Sequence, residues 1–241
     1  MREDIFQKHT GKEVSTHVIS ENLITRGAFG RVFDTVIEIG GHRKRFIIKK
    51  YSFSGDPVSL DIAEKDAKRA FENYSLAKKA GLRVFPTFRI SKDKKKILMT
   101  TGFLNDQICI GSNSELSIVD FKQPLIEEIE NLDEFLASFF AEGLKAAQKG
   151  IKFYNDAPFF IISKSQPTKI DFVLGDFDNF RENKPSKSIG LHNVQNIRTA
   201  LVGFWRDNIS PDFKKLFLDR VEYYYKQAIN NVNNSDLENY S

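Results

Sequence analysis

Two glycine-marked reversals, Gly27–Gly30 and Gly40-Gly41, divide the stretch from Leu23 to Lys49 into three runs rich in β-branched and aromatic residues. Runs of this kind, separated by so few residues, have one compact solution, which is antiparallel strands in series. Leu23–Thr25 leads into the first turn, Val32–Ile39 returns, and Arg45–Lys49 follows the Gly40-Gly41 hairpin. A turn with glycine at both ends lets backbone N–H groups close over an anion with no β-carbon in the way. Gly27-Ala28-Phe29-Gly30-Arg31-Val32 has that form, and the third strand ends on Lys49, the point charge that such a lid still needs.

Downstream, Ala63, Ala67, Ala70, Phe71, Tyr74 and Ala77 recur at helical spacing within Ser59–Ala80, and Gly81 is placed as its C-cap. Leu82–Ile90 and Lys96–Thr101 read as two more strands about a lysine-rich turn. Five strands and one helix predict a small N-terminal domain over 1–104, with Thr101–Asp106 as a glycine-containing connector. The pattern then changes, and 105–241 reads as mainly helical. Leu132, Phe135, Leu136, Phe139, Phe140 and Leu144 line one face of a helix that ends near Gly150. Ile151–Ile162 reads as a loop with short strand character and Ser163–Lys169 as a turn; the buried strand Ile170–Leu174 then delivers Gly175-Asp176-Phe177-Asp178. After a polar loop, Arg181–Ser188, two amphipathic helices follow, one presenting Ile197, Ala200, Leu201, Phe204 and Trp205, the other Phe213, Leu216, Phe217, Val221 and Tyr224. Residues 1–20 and the tail from Asn230 are polar and read as irregular, and His192 reads as a surface or capping residue. The fold class expected is α+β.

Composition removes several function classes. No apolar run approaches the roughly 18 residues of a membrane span. The first ten residues carry acids and no apolar core, unlike a secretory signal. One cysteine, Cys109, excludes an intrachain disulfide and fits a reducing compartment, with the cytoplasm as the default. A net charge of +4 is slight, and the lysines of Lys92–Lys96 lack interleaved aromatics, so no nucleic-acid partner is expected. The four histidines are scattered, without zinc spacing.

Five features then stand in a telling order: glycine loop, lysine, helix, an aspartate after a second helix (Tyr154-Asn155-Asp156), and a second aspartate after a strand (Asp176-Phe177-Asp178). Over Leu23–Phe180 this resembles the protein-kinase superfamily, with its G-x-G-x-x-G-x-V loop, third-strand lysine, catalytic-loop aspartate and Asp-Phe-Gly segment. Asp-Phe-Asp in place of Asp-Phe-Gly, and only 63 residues after Asp178, look most like the small bacterial lipopolysaccharide and Kdo kinases. The resemblance implies a two-lobed protein-kinase-like fold with a short helical C-terminal lobe, ATP and Mg2+ as cofactors, and a small-molecule or glycolipid acceptor.

Carried over residue by residue, it implies a nucleotide-binding set of Gly27, Phe29, Gly30, Val32, Ile47, Lys49, Glu72 and Thr101. Asp156 becomes the catalytic residue that orients the acceptor hydroxyl, and Asp176 and Asp178 the metal ligands. Lys50 competes with Lys49, and Lys49 is preferred because it puts Ile47 on the same face. Glu72 or Asp66 would pair with that lysine. The pattern departs at Ile161, where the family has a metal-binding asparagine. That departure keeps open a pseudokinase, the same fold used as a nucleotide-binding or regulatory module. An α+β protein whose motifs match by chance is the third reading.

Overall fold

The computed structural model describes residues 16–27, 30–51, 57–91, 96–100, 107–111, 126–163, 165–178 and 180–237. The chain divides into two units, Met1–Glu72 with Phe85–Asn105, and Asn73–Val84 with Asp106–Ser241.

In the first unit β1 (Thr16–Gly27), β2 (Gly30–Ile39), β3 (His42–Lys50), β4 (Thr87–Ile90) and β5 (Lys96–Thr100) form one antiparallel sheet in the order β1-β2-β3-β5-β4. Gly40 and Gly41 turn β2 into β3 with φ of 56° and 81°, the left-handed pair that a tight hairpin demands. Phe46 and Ile48 pack with Ile37 on one face of β3. Ile47 and Lys49 occupy the other and are also buried, so this strand is covered on both sides. The outer strand β1 is not covered in this way. Val18, Ile19 and Leu23 are exposed on it, and its register with β2 slips between Val18 and Ser20 and again between Leu23 and Thr25. β1 begins at Thr16, inside the stretch expected to be irregular; residues 17–23 are exposed or half-buried, and side chains left in water give no apolar alternation to read.

Helix α1 (Pro57–Lys79) joins β3 to β4 and buries Ala63, Ala67, Ala70, Tyr74 and Ala77, the expected stripe; Phe71 on its flank is only half-buried. Gly81 follows with φ 73°, and the N–H groups of Gly81 and Leu82 bond to the carbonyls of Lys78 and Ala77. The strand expected over Leu82–Ile90 is shorter than that. Leu82–Pro86 is held apart from β4: the Arg83 N–H donates to the Glu142 carboxylate, the Arg83 carbonyl accepts from Leu174, and Pro86 has no N–H to donate.

The second unit contains β6 (Gln107–Gly111), α2 (Leu132–Gln148), β7 (Ile151–Lys152), β8 (Pro158–Ser163), β9 (Ile170–Leu174), β10 (Arg181–Glu182), α3 (Lys187–Asn208) and α4 (Pro211–Asn233). β6-β8-β9 form one antiparallel sheet and β7-β10 a second, two-residue ladder. The phenylalanines make the core. Phe139 on α2 meets Phe172 on β9 at 4.4 Å and Phe160 on β8 at 5.8 Å, and Phe160 meets Phe204 on α3 at 4.5 Å. All four are fully buried, each contributing about 1.5–3 kcal/mol by leaving water. Ser186 and Ser210 cap α3 and α4, accepting from Ile189 and Phe213, and Pro211 opens α4 where no N–H is needed. Two expectations are corrected here. α3 starts within the supposed Arg181–Ser188 loop, because Ser186 caps it, and α4 runs to Asn233 because Val232 is buried beneath the expected fray.

Strands, helix and strands, then helix, β-hairpin and helices, is an α+β arrangement. No helix among the described residues is long and apolar enough to cross a membrane.

Candidate functional site

The β8–β9 hairpin sets the geometry of the second unit. Its register pairs Pro158 with Leu174 and Ile162 with Ile170. Beyond Pro158 and Leu174 the ladder ends: Asp156 lies in a turn closed by the Ala157 N–H on the Tyr154 carbonyl, and Asp176 follows β9 by two residues. A shared acceptor ties the two segments together. The carbonyl of Ala157 takes hydrogen bonds from the N–H groups of Gly175 (2.9 Å) and Asp176 (3.3 Å). Both aspartates are half-buried, whereas Asp178 is 1% exposed. Its N–H leans on Asp176 Oδ1 at 3.4 Å, so of the two only Asp176 meets solvent appreciably.

Three asparagines that sequence reasoning missed hold these loops. Asn193, wholly buried on α3, donates Nδ2–H to the carbonyls of Ile151 (2.8 Å) and Gly143 (3.2 Å) and accepts from the Phe153 N–H at 3.1 Å. One turn on, Asn196 accepts from the Asn155 N–H at 3.0 Å. Asn73 on α1 donates to the carbonyls of Phe177 (2.7 Å) and Phe180 (3.3 Å). Phe177 is fully buried between Tyr74, edge-on at 5.6 Å, and Phe180 at 4.7 Å, the core role expected of it. Amide side chains carry both a donor and an acceptor, so they can replace a missing strand partner. Their only sequence signal is that each is an asparagine within an otherwise strong helical pattern.

His192 is half-buried rather than a free surface residue. Its ring meets Tyr154 edge-on at 5.0 Å, and Nε2 lies 3.1 Å from Asn196 Nδ2. Burial first, and then the Lys152 charge, hold its pKa below 6.5, against a backbone hydrogen bond at Phe153 that favours the charged ring.

In the first unit, Gly27 pairs with Gly30 at the last step of the β1–β2 ladder. A Cβ on Gly30 would lie 2.5 Å from the Lys50 carbonyl oxygen, so β2 and β3 can approach there only with glycine. Val32 is paired with Lys49, which puts Val32, Lys49 and Ile47 on one face. Lys49 is 9% exposed, with Nζ 5.4 Å from the Tyr51 ring centroid, and Ile47 is 1% exposed. Lys50 goes to the opposite face, where it pairs with Glu21 at 2.7 Å and lies over Phe33 at 4.6 Å. Lys49 is therefore the inward lysine of the two.

The acid expected to pair with it is corrected. Glu72 is exposed and its ion pair is with Lys68, at 3.8 Å. Asp66 pairs with Arg69 at 2.7 Å. Glu72 lies off the buried stripe Ala63–Ala67–Ala70–Tyr74, so the helix turns it to solvent. Phe29 and Thr101 lie outside the described residues. Ile161 is buried in the middle of β8. No group of three or more His, Cys, Asp or Glu side chains that could hold a metal ion occurs among the described residues.

No protein-family model matches the chain, and no curated protein is similar to it. Among solved structures it is similar to a variant of the PknI kinase domain of Mycobacterium tuberculosis, at 12% identity over 95% of this chain and 100% of that one, with a TM-score of 0.44. It is also similar to the proinflammatory kinase CtkA of Helicobacter pylori, at 10% identity over 92% of this chain and 97% of that one, with a TM-score of 0.43.

Proposed function

We propose that this chain is an ATP-dependent phosphotransferase acting on a hydroxyl of a sugar, a lipopolysaccharide-type glycolipid or another small acceptor. What supports this most is that the segments carrying Asp156 and Asp176 are tied together, the Ala157 carbonyl accepting from the Gly175 and Asp176 N–H groups. Phosphoryl transfer asks a protein mainly to position groups and to place charge, and two carboxylates in loops flanking one hairpin suit both tasks. Asp156 orients the acceptor hydroxyl and takes its proton as the oxygen attacks phosphorus and the bond to the leaving diphosphate oxygen breaks. Asp176 is the metal ligand, backed by the buried Asp178. In the first unit, Gly27, Phe29 and Gly30 form the lid, Lys49 meets the phosphates, Val32 and Ile47 face the base, and Thr101 belongs to the connector beside it. Bound ATP and Mg2+ supply the transferable phosphoryl group and neutralise its charge. A chain with one cysteine suits the cytoplasm.

A second reading, a pseudokinase that binds nucleotide without transfer, is favoured by Ile161, an apolar residue buried where a metal-binding oxygen is called for. Two measurements separate them: thermal shift with ATP in the presence and absence of Mg2+, and ATP consumption with sugar and lipopolysaccharide-core acceptors. Mg2+-dependent stabilisation with acceptor-dependent turnover is expected. Stabilisation equal with and without Mg2+, and no turnover with water or any acceptor, would leave the pseudokinase. No stabilisation by nucleotide at all would remove both.

A further inference from the structure

The segment that carries Asp156 is irregular from Phe153 to Ala157, and side chains and a turn take up amides in it. Two are taken by side chains one turn apart on α3: Phe153 N–H by Asn193 and Asn155 N–H by Asn196. The two anchors differ in what surrounds them. Asn193 is wholly buried and has no titratable neighbour among its hydrogen-bond partners, whereas Asn196 touches His192.

The orientation of the Asn196 amide is fixed from two directions. Its Oδ1 must face the Asn155 N–H, and its Nδ2–H must face the His192 carbonyl at 2.9 Å. The same Nδ2 lies 3.1 Å from His192 Nε2. With Nδ2 a donor, the arrangement is satisfied only when Nε2 is an acceptor, that is, when the ring is neutral. A second proton on the ring sets N–H against N–H. Turning the amide over to relieve this would point Nδ2–H at the Asn155 N–H and Oδ1 at the His192 carbonyl. The groups that bear on the ring are Lys152 on β7, which disfavours its charge, Tyr154, which meets it edge-on, and the Phe153 backbone. No carboxylate among the described residues forms a hydrogen bond or ion pair with it.

We propose that Asn196 is the positioning residue of the Asp156 loop, and that its hold on Asn155 requires a neutral His192 ring. Its consequence for transfer rests on the role given above to Asp156, but the hold itself does not. Protonating His192 releases the Asn155 amide, loosens the residue next to Asp156, and leaves the Asn193 anchor at Phe153 in place.

The test is amide hydrogen exchange and His192 ring titration by NMR on the full chain, followed by kinetics. In the wild type, protection of the Asn155 amide should fall at least tenfold as His192 is protonated, while Phe153 stays protected. Asn196→Ala should lose the Asn155 protection at every pH. Asn196→Asp should do the reverse. Its carboxylate accepts from both the Asn155 N–H and a protonated ring, so His192 should titrate above 6.5 and Asn155 should stay protected in acid. This last variant keeps the question decidable if the alanine variant does not fold. In turnover, Asn196→Ala should lower kcat at least tenfold with the nucleotide KM unchanged. Protection of Asn155 that ignores His192 titration, or a His192 that titrates no higher in Asn196→Asp, would overturn the proposal. The full exchange pattern in a chain that never turns over nucleotide would support the linkage and remove only the phosphotransferase.

Discussion

The carbonyl oxygen of Ala157 accepts the backbone N–H of Asp176 from across the end of the β8–β9 hairpin, at 3.3 Å. The backbone thus helps to place Asp176, and its Oδ1 accepts from the Asp178 N–H at 3.4 Å. Asp176→Asn keeps that acceptor, so its stability should lie within about 0.5 kcal/mol of the wild type by urea denaturation. Mg2+-dependent turnover should nevertheless fall about 100-fold or more, the equivalent of about 3 kcal/mol of lost charge stabilisation. A structural aspartate would show neither effect.

Lys49 is buried beside Tyr51 and shares a face with Ile47. Lys49→Met keeps the length and removes the charge. The Kd for ATP should rise about tenfold or more, as expected for a lost hydrogen bond to a charged group, while the Tm of the free chain barely moves. The exposed Lys65, changed in the same way, is the control. Equal effects on ATP binding from both variants would remove the phosphate role.

Gly30 has a structural duty whatever binds near it. The Cβ of Gly30→Ala would press on the Lys50 carbonyl at 2.5 Å, so stability without nucleotide should drop by about 1–3 kcal/mol. Loss of nucleotide binding in this variant therefore means little until compared with its melting temperature.

Asn193→Ala strips three hydrogen bonds from a fully buried site and takes away the side-chain acceptor of the Phe153 N–H. Denaturant unfolding should show a loss of about 2–4 kcal/mol. A change within experimental error would mean that water replaces the amide.

His192 gives stability a pH dependence with a definite sign. The folded ring titrates below 6.5, held down chiefly by burial and then by Lys152, while the unfolded ring titrates near 6.5. Between the two values the unfolded chain binds more protons, so stability is full above about 6.5 and declines as the pH falls towards the folded value. Below the folded value this contribution stops changing. Urea midpoints measured from pH 7.5 to 5 should show this decline, and His192→Gln should flatten it.

What was legible in the sequence is what local pattern controls. The α2 stripe Leu132, Phe135, Leu136, Phe139 and Phe140 is buried as its spacing demands, and the Gly40-Gly41 hairpin turns where two adjacent glycines require it. Alternation also put Lys49 and Lys50 on opposite faces, as it must for neighbours in a strand. Glu72 was misjudged because facing direction depends on which helical stripe is buried, and two residues along a helix is more than half a turn. Asn73, Asn193 and Asn196 were invisible for a different reason. An amide earns its place from the backbone it meets, 104 residues away for Asn73 and Phe177, and no periodicity announces that. The opening of β1 was missed because its described side chains are exposed, and exposed positions carry no apolar alternation.

That uncovered strand has a further consequence. Twelve residues of outer edge, with Val18, Ile19 and Leu23 bare, would be a ready template for a neighbouring chain were it flat. The two register slips in β1 spoil the template, since each bends the strand and interrupts the even row of N–H and carbonyl groups that a newcomer would need. Straightening them by deleting one residue at each slip should convert a well-behaved protein into one that precipitates as its concentration is raised.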